Sequence, residues 1–197
     1  MGNKEDASKV VYYEDELHDD FASVDVKNKG VKNDYPYFNR NPFSLTGGWV
    51  FRHIIAIPLL FLANIFIYGS RVKNRRVLKG LKRRGYYLYA NHVLDYDPIT
   101  HPILINPSKF CVIVSGPEAF SINPIVSWAV KSLGAIPIPN KNDIEMYNRY
   151  SKCLSHHIKK RHRILIYPEA HIWPYCNFIR DFTHSSFRYP VNDNVPI

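Results

Sequence analysis

The sequence predicts an α/β domain with a mixed sheet flanked by helices, preceded by an apolar, membrane-associated helix. Three observations carry that reading. From Gly85 onward, short apolar strand-like runs alternate with longer helix-like stretches. Ahead of them, Ile54–Tyr68 (IIAIPLLFLANIFIY) carries no charge. Directly after that run, Arg71, Lys73, Arg75, Arg76, Lys79, Lys82, Arg83 and Arg84 stand together without an acid among them. A basic cluster beside an apolar helix is a signature of contact with anionic lipid.

Residues 1–46 read as a loose polar arm. Its first forty residues hold nine Asp/Glu against six Lys/Arg, and it ends in an Asn-Pro-Phe-Ser-Leu-Thr-Gly-Gly stretch. Tyr12–Asp20 is the part of the arm that is a candidate to dock on the domain. Residues 47–84 form the apolar helix and a basic linker. As a helix, the fifteen residues of Ile54–Tyr68 would cover roughly 22 Å, short of a hydrocarbon core of about 30 Å. A start at Trp49 gives twenty residues but encloses Arg52 and His53, and Pro58 and Asn64 interrupt the run. A spanning, a re-entrant and an in-plane helix therefore stay open, beside a buried core helix. If the helix spans, the positive-inside rule puts residues 71–197 on the cytoplasmic side. The run lies too far from Met1 to be a signal peptide.

Residues 85–197 form the α/β domain. Tyr86–Ala90, Phe110–Ser115 and Arg163–Tyr167 read as buried strands, and residues 134–139 as a short extended segment. Pro124–Leu133 and Asp143–Arg161 read as helices, the second amphipathic. Val195-Pro196-Ile197 resembles the opening of a further buried strand, so the domain is expected to be truncated at its C-terminal end.

The formal net charge is +9 and the isoelectric point about 9.4, which implies anionic partners: nucleic acid, phospholipid or phosphorylated substrates. Nucleic acid is the weakest of these, because the cluster adjoins the apolar run and no recognition motif accompanies it. Cys111, Cys153 and Cys176 are odd in number and form no Cys-x-x-Cys pair, which argues against a disulfide framework or a zinc cluster and for a reducing compartment.

Two strand ends carry chemistry. Tyr86–Ala90 runs into Asn91-His92-Val93-Leu94-Asp95-Tyr96-Asp97-Pro98. A His at the end of a buried strand can serve as a general base, with a nearby carboxylate fixing its tautomer. On a regular helix five residues rotate by roughly 140°, so His92 and Asp97 meet only across a tight loop. The plainer alternative is a water-facing loop His. A third reading takes His92, Asp95, Asp97 and His101 as a metal site for hydrolysis, although no more distant ligand cluster supports it. The Arg163–Tyr167 strand likewise delivers Pro168-Glu169-Ala170-His171-Ile172, with Glu169 at the carboxyl end, where open α/β sheets place ligands. Taken alone, Glu169 reads as a salt-bridging loop carboxylate and Lys141 as a solvated loop lysine. Arg180 and Arg188 flank the Thr183–Ser186 loop and suit phosphate recognition, or are surface charges.

The order of these motifs is more specific than any one of them. Asn91-His92-x4-Asp97, Gly134-Ala-Ile-Pro-Ile-Pro, Tyr167-Pro-Glu-Ala-His-Ile and Tyr189-Pro-Val followed by Val195-Pro-Ile resemble the four ordered blocks of the glycerolipid acyltransferase family. The lysophosphatidate (1-acyl-sn-glycerol-3-phosphate) acyltransferases are its best-known members. The likeness covers about residues 50–197, and the third block is similar to the Pro-Glu-Ala-His-Ile form of a bacterial subgroup. The resemblance implies acyl transfer to the free hydroxyl of lysophosphatidate in phospholipid biosynthesis, from acyl-CoA or acyl-carrier protein, at a membrane surface and without a metal or other cofactor. It implies His92 and Asp97 as the catalytic pair. Asn91, Gly134, Lys141, Glu169, His171, Arg180 and Arg188 are the matching candidates for substrate binding. Two departures stand out. Asn140-Lys141 occupies the place where the second block often has an Arg, and the third block ends in His171-Ile172 where the family often has Arg. Phosphate recognition then passes to Lys141, Arg180 or Arg188, or the acceptor differs. The non-enzymatic alternative is an inactive membrane-bound remnant.

Overall fold

The computed structural model describes residues 12–15, 19, 21, 30–31, 34–38, 41–140 and 142–197. Lys141, a candidate phosphate ligand, lies outside the described residues, as does most of the arm.

Four strands, β1 (Tyr86–Tyr89), β2 (Cys111–Ser115), β3 (Ala135–Pro137) and β4 (Arg163–Ile166), form one sheet in the order β1-β4-β2-β3. Every pairing is parallel, which corrects the expected mixed sheet. Each of the first three strands is followed by a helix that carries the chain back to the same edge: α2 (Asp97–Ile105), α3 (Pro124–Ser132) and α4 (Ile144–Lys159). Strands joined by such crossovers all point one way. A last helix, α5 (Arg188–Asp193), follows a single 3-10 turn at His184–Phe187. Val195–Ile197 does not form the expected strand. It runs beside β1 with one ladder-like bond, from Tyr87 N–H to the Pro196 carbonyl (3.0 Å), and Pro196 has no N–H to return.

The main core lies between the sheet and α4. Asp143 caps that helix, accepting from Met146 N–H at 2.8 Å. Met146, Tyr150, Cys153, Leu154 and Ile158 then fall on one stripe and bury against Tyr87, Val112, Val114, Ile136, Ile164 and Ile166. Val31 and Tyr37 of the arm close the same cluster. Asn140 holds Val31 at both its N–H and its carbonyl (3.2 and 3.1 Å).

The apolar helix, α1, is longer than the composition of Ile54–Tyr68 indicates. It runs from Pro42 to Phe66, 25 residues, and takes in the end of the segment read as an arm. Its start is local: the Asn41 side chain accepts from Phe43 and Ser44 N–H (3.0 and 3.4 Å), and Pro42 opens the first turn. Pro58 does not break it. The turn before Pro58, Phe51–Ala56, widens to π-helix, and Ile57 N–H reaches back five residues to the Arg52 carbonyl. A widened turn absorbs the donor and the space that proline denies.

This helix is inside out. Gly48, Arg52, Ala56 and Asn64, spaced in fours, are buried against the domain. Phe43, Trp49, Ile54, Ile55, Leu59, Leu62, Ile65 and Phe66 are exposed. Its first half packs on α3, with the Phe51 and Trp128 rings 4.9 Å apart and Gly48 facing the Ser132 hydroxyl. Its second half packs on α2. The small and polar residues thus let the helix lie along the protein, while the apolar side faces outward.

Candidate active site

β1 and β4 are neighbours, with Tyr89 opposite Ile166, so the two chemistry-bearing turns leave the sheet side by side at its carboxyl edge. Trp173 N–H donates to the His92 carbonyl (3.4 Å) and Tyr175 N–H to that of Val93 (3.3 Å). These bonds join the third motif to the first.

His92 Nδ1 lies 3.5 Å from Asp97 Oδ2. The same carboxylate oxygen accepts from Val93 and Leu94 N–H, each at 2.9 Å, and so closes the loop that the five-residue spacing requires. Asp97 also opens α2, whose N-terminal dipole favours a negative charge. Burial pushes its carboxyl up, but His92, the two backbone N–H groups and His101 outweigh that and hold it below the usual aspartate value. In the tautomer whose Nδ1–H is directed at Asp97, His92 Nε2 presents a lone pair. The His92 ring stacks on Tyr167 with centroids 4.2 Å apart.

A second layer supports the pair. His101 Nε2 is 3.4 Å from Asp97 Oδ1, and His101 Nδ1 is 3.1 Å from the Tyr167 hydroxyl. Burial holds His101 below the usual imidazole value, against the pull of Asp97. A neutral ring with its proton on Nε2 satisfies both neighbours.

Glu169 is buried and reaches back to the first motif. Its Oε2 accepts from His92 N–H (3.0 Å) and from the Arg180 guanidinium (3.2 Å), and its Oε1 from Arg180 N–H (3.1 Å). Arg180 also donates to the His171 carbonyl and lies over the Trp173 ring at 4.6 Å. Pro168 is fixed through its carbonyl by Thr183 N–H and hydroxyl (3.0 and 2.8 Å). The described part of the arm sits on this loop, with Trp173 Nε1–H donating to the Asp19 carbonyl (2.9 Å) and the Tyr13 ring 4.7 Å away.

The structure therefore brings His92, Asp97, Glu169, His171 and Arg180 together, with half-buried Asn91 beside them. Arg180 is internal and paired, so it is no exposed phosphate ligand. Arg188 is exposed and rests on the Tyr147 and Tyr189 rings. Gly134 precedes β3, at the opposite, amino edge of the sheet. Its φ of +103° and the 2.3 Å between an added Cβ and the Cys111 carbonyl oxygen give it a backbone role. The four-residue metal set does not assemble: Asp95 is exposed, and among the described residues no three His, Cys, Asp or Glu side chains converge on a metal position. Sequence reasoning passes over Tyr167 as a partner of His92, although its place next to Pro168-Glu169 is a signal.

The family model described as Acyltransferase matches residues 65–197, the greater part of the chain. Comparison with curated proteins and with solved structures gives no match.

Proposed function

Because the chain belongs to the glycerolipid acyltransferase family, we propose that it transfers a fatty acyl group from an acyl thioester to the free hydroxyl of lysophosphatidate. The observation that carries this reading is the His92–Asp97 pair, held in a closed loop and backed by Glu169. His92 Nε2 removes the proton from the acceptor hydroxyl as its oxygen attacks the thioester carbon. The new C–O bond forms, the C–S bond breaks, and the departing thiolate takes the proton back from the imidazolium. Asp97 stabilises that imidazolium through Nδ1. The transfer is direct, since no Ser or Cys stands in the motif blocks. The donor is acyl-CoA or acyl-carrier protein.

Glu169 acts through His92 and is a positioning residue. With Arg180 neutralised by Glu169, the acceptor phosphate falls to Lys141 or Arg188. The outward apolar face of α1 and the basic segment Arg71–Arg84 support a helix lying in the cytoplasmic membrane interface, where lysolipid and acyl donor both partition.

The test is transfer from labelled acyl-CoA, and separately from labelled acyl-carrier protein, to lysophosphatidate in detergent micelles. We expect phosphatidate from the wild type, and from a folded His92→Ala variant a rate lower by about 10²–10⁴-fold. Equal rates would refute the base assignment. A folded wild type that is silent with both donors would refute the acceptor.

A further inference from the structure

Two guanidinium groups meet at the amino edge of the sheet, the edge opposite His92. Arg163 opens β4 and Arg52 projects from the buried face of α1; they are 1% and 7% exposed. Arg163 Nη2 donates to the carbonyls of Pro102, Asn106 and Lys109 (3.2, 2.7 and 2.6 Å), which fixes the group in place. Among the described residues its Nε and Nη1 have no hydrogen-bond partner, and neither has Arg52 Nη1. Arg52 instead lies over the Phe110 ring at 4.2 Å. Among the described residues no carboxylate pairs with either arginine. Lys109 adds a third positive charge nearby, 4.6 Å over the Tyr86 ring.

Buried charge without a counter-charge is costly, and buried donors without acceptors add to that cost. Both arginines line one small cavity with Pro102, Asn106, Cys111 and Leu133. Its volume is about 10 Å³, on the scale of one water or one small ion. Cys111 does not supply the missing charge: burial, ahead of the opposing pull of the arginines, pushes its thiol up to about 11. A water molecule would satisfy donors and leave two positive charges uncompensated. A lipid headgroup is too large for the space.

We infer that this cavity is an anion site that takes a single chloride between Arg52 and Arg163. The bound ion clamps the apolar helix to the sheet. No motif of the acyl-transfer reaction takes part, so the inference stands apart from the proposed function.

The experiment compares the full chain in a non-ionic detergent, in sodium chloride and in sodium gluconate at equal ionic strength. The unfolding midpoint should rise with chloride and saturate as for one site. Chlorine NMR lines should broaden with wild-type protein, and Arg52→Gln should lose both effects. The line broadening needs no variant, so a failure of Arg52→Gln to fold leaves the test intact. Equal midpoints in the two salts with no broadening would overturn the site. Stabilisation by phosphatidylglycerol in chloride-free buffer, lost in Arg52→Gln while chloride does nothing, would overturn chloride in favour of a lipid phosphate.

Discussion

Glu169 does at residue scale what no single motif could do. One buried carboxylate holds the His92 backbone and the Arg180 guanidinium together. Breaking a buried pair by removing one partner costs roughly 3–5 kcal/mol, because the other charge is left stranded. Glu169→Gln should therefore lower stability by about that amount, and lower acyl transfer through a displaced His92. Adding Arg180→Met removes the stranded charge and should restore much of the stability without restoring activity. Denaturant unfolding of the two single variants and the double variant checks this, and strictly additive losses would contradict the pairing. Glu169 and Arg180 both stand out in the sequence as charged loop residues. Their pairing does not, since an eleven-residue separation through an irregular loop has no periodicity to read.

At the scale of elements, two junctions decide how the sheet is built. Gly134 joins α3 to β3 with a φ that L residues rarely adopt, against the Cys111 carbonyl. Gly134→Ala should cost about 1–3 kcal/mol, seen as a lower denaturant midpoint. The end of α4 carries a histidine pair, His157 Nδ1 and His162 Nδ1 at 2.9 Å. One ring must donate and the other accept, so the contact needs a neutral acceptor. Burial first, and then the charge of His162, pushes His157 down to about 4; burial and then Lys160 do the same for His162. The unfolded chain takes up these protons near the ordinary value of 6.5, ahead of the folded chain. Stability from the pair is thus complete above about pH 6.5 and falls as the pH drops toward about 4. Thermal midpoints across that window should decline, and His157→Gln should flatten the decline. The four strands and the helices α3 and α4 are legible in the sequence to within two residues at each end, because periodicity and capping residues are local signals; α2 and α5 are not, each being short and carrying an internal proline. The early start of α1 at Asn41-Pro42 is a local signal as well, obscured by the polar and glycine-rich residues that follow it.

For the whole molecule, the proposed membrane contact rests on the inverted helix. α1 is long enough to cross a bilayer, yet both its halves rest on the α/β domain. Its outward apolar face is then available to enter the interface in plane. Burying one leucine is worth roughly 1.5–3 kcal/mol, so Leu59→Gln with Leu62→Gln should reduce partitioning into phosphatidylglycerol vesicles by roughly 10²–10⁴-fold. Sedimentation with vesicles measures this. Raised salt should weaken the binding further by screening Arg71–Arg84. Unchanged partitioning would place the contact elsewhere.

The sequence by itself determined the kinds of chemistry available: a His and an Asp in one turn, a second acidic turn after another strand, an uncharged run and a basic segment behind it. It determined the α/β class and the ordered blocks that identify the family. These are properties of residue type and short spacing, written along the chain. Only the tertiary structure decided that β1 and β4 lie side by side, so that Glu169 grips the His92 turn across 77 residues. It alone made the sheet parallel, turned Arg180 inward, set Gly134 at the far edge, and aimed Arg52 at Arg163. Each of these depends on strand order and on which helix face finds a partner, and that choice follows from the packing of the whole domain rather than from any local pattern.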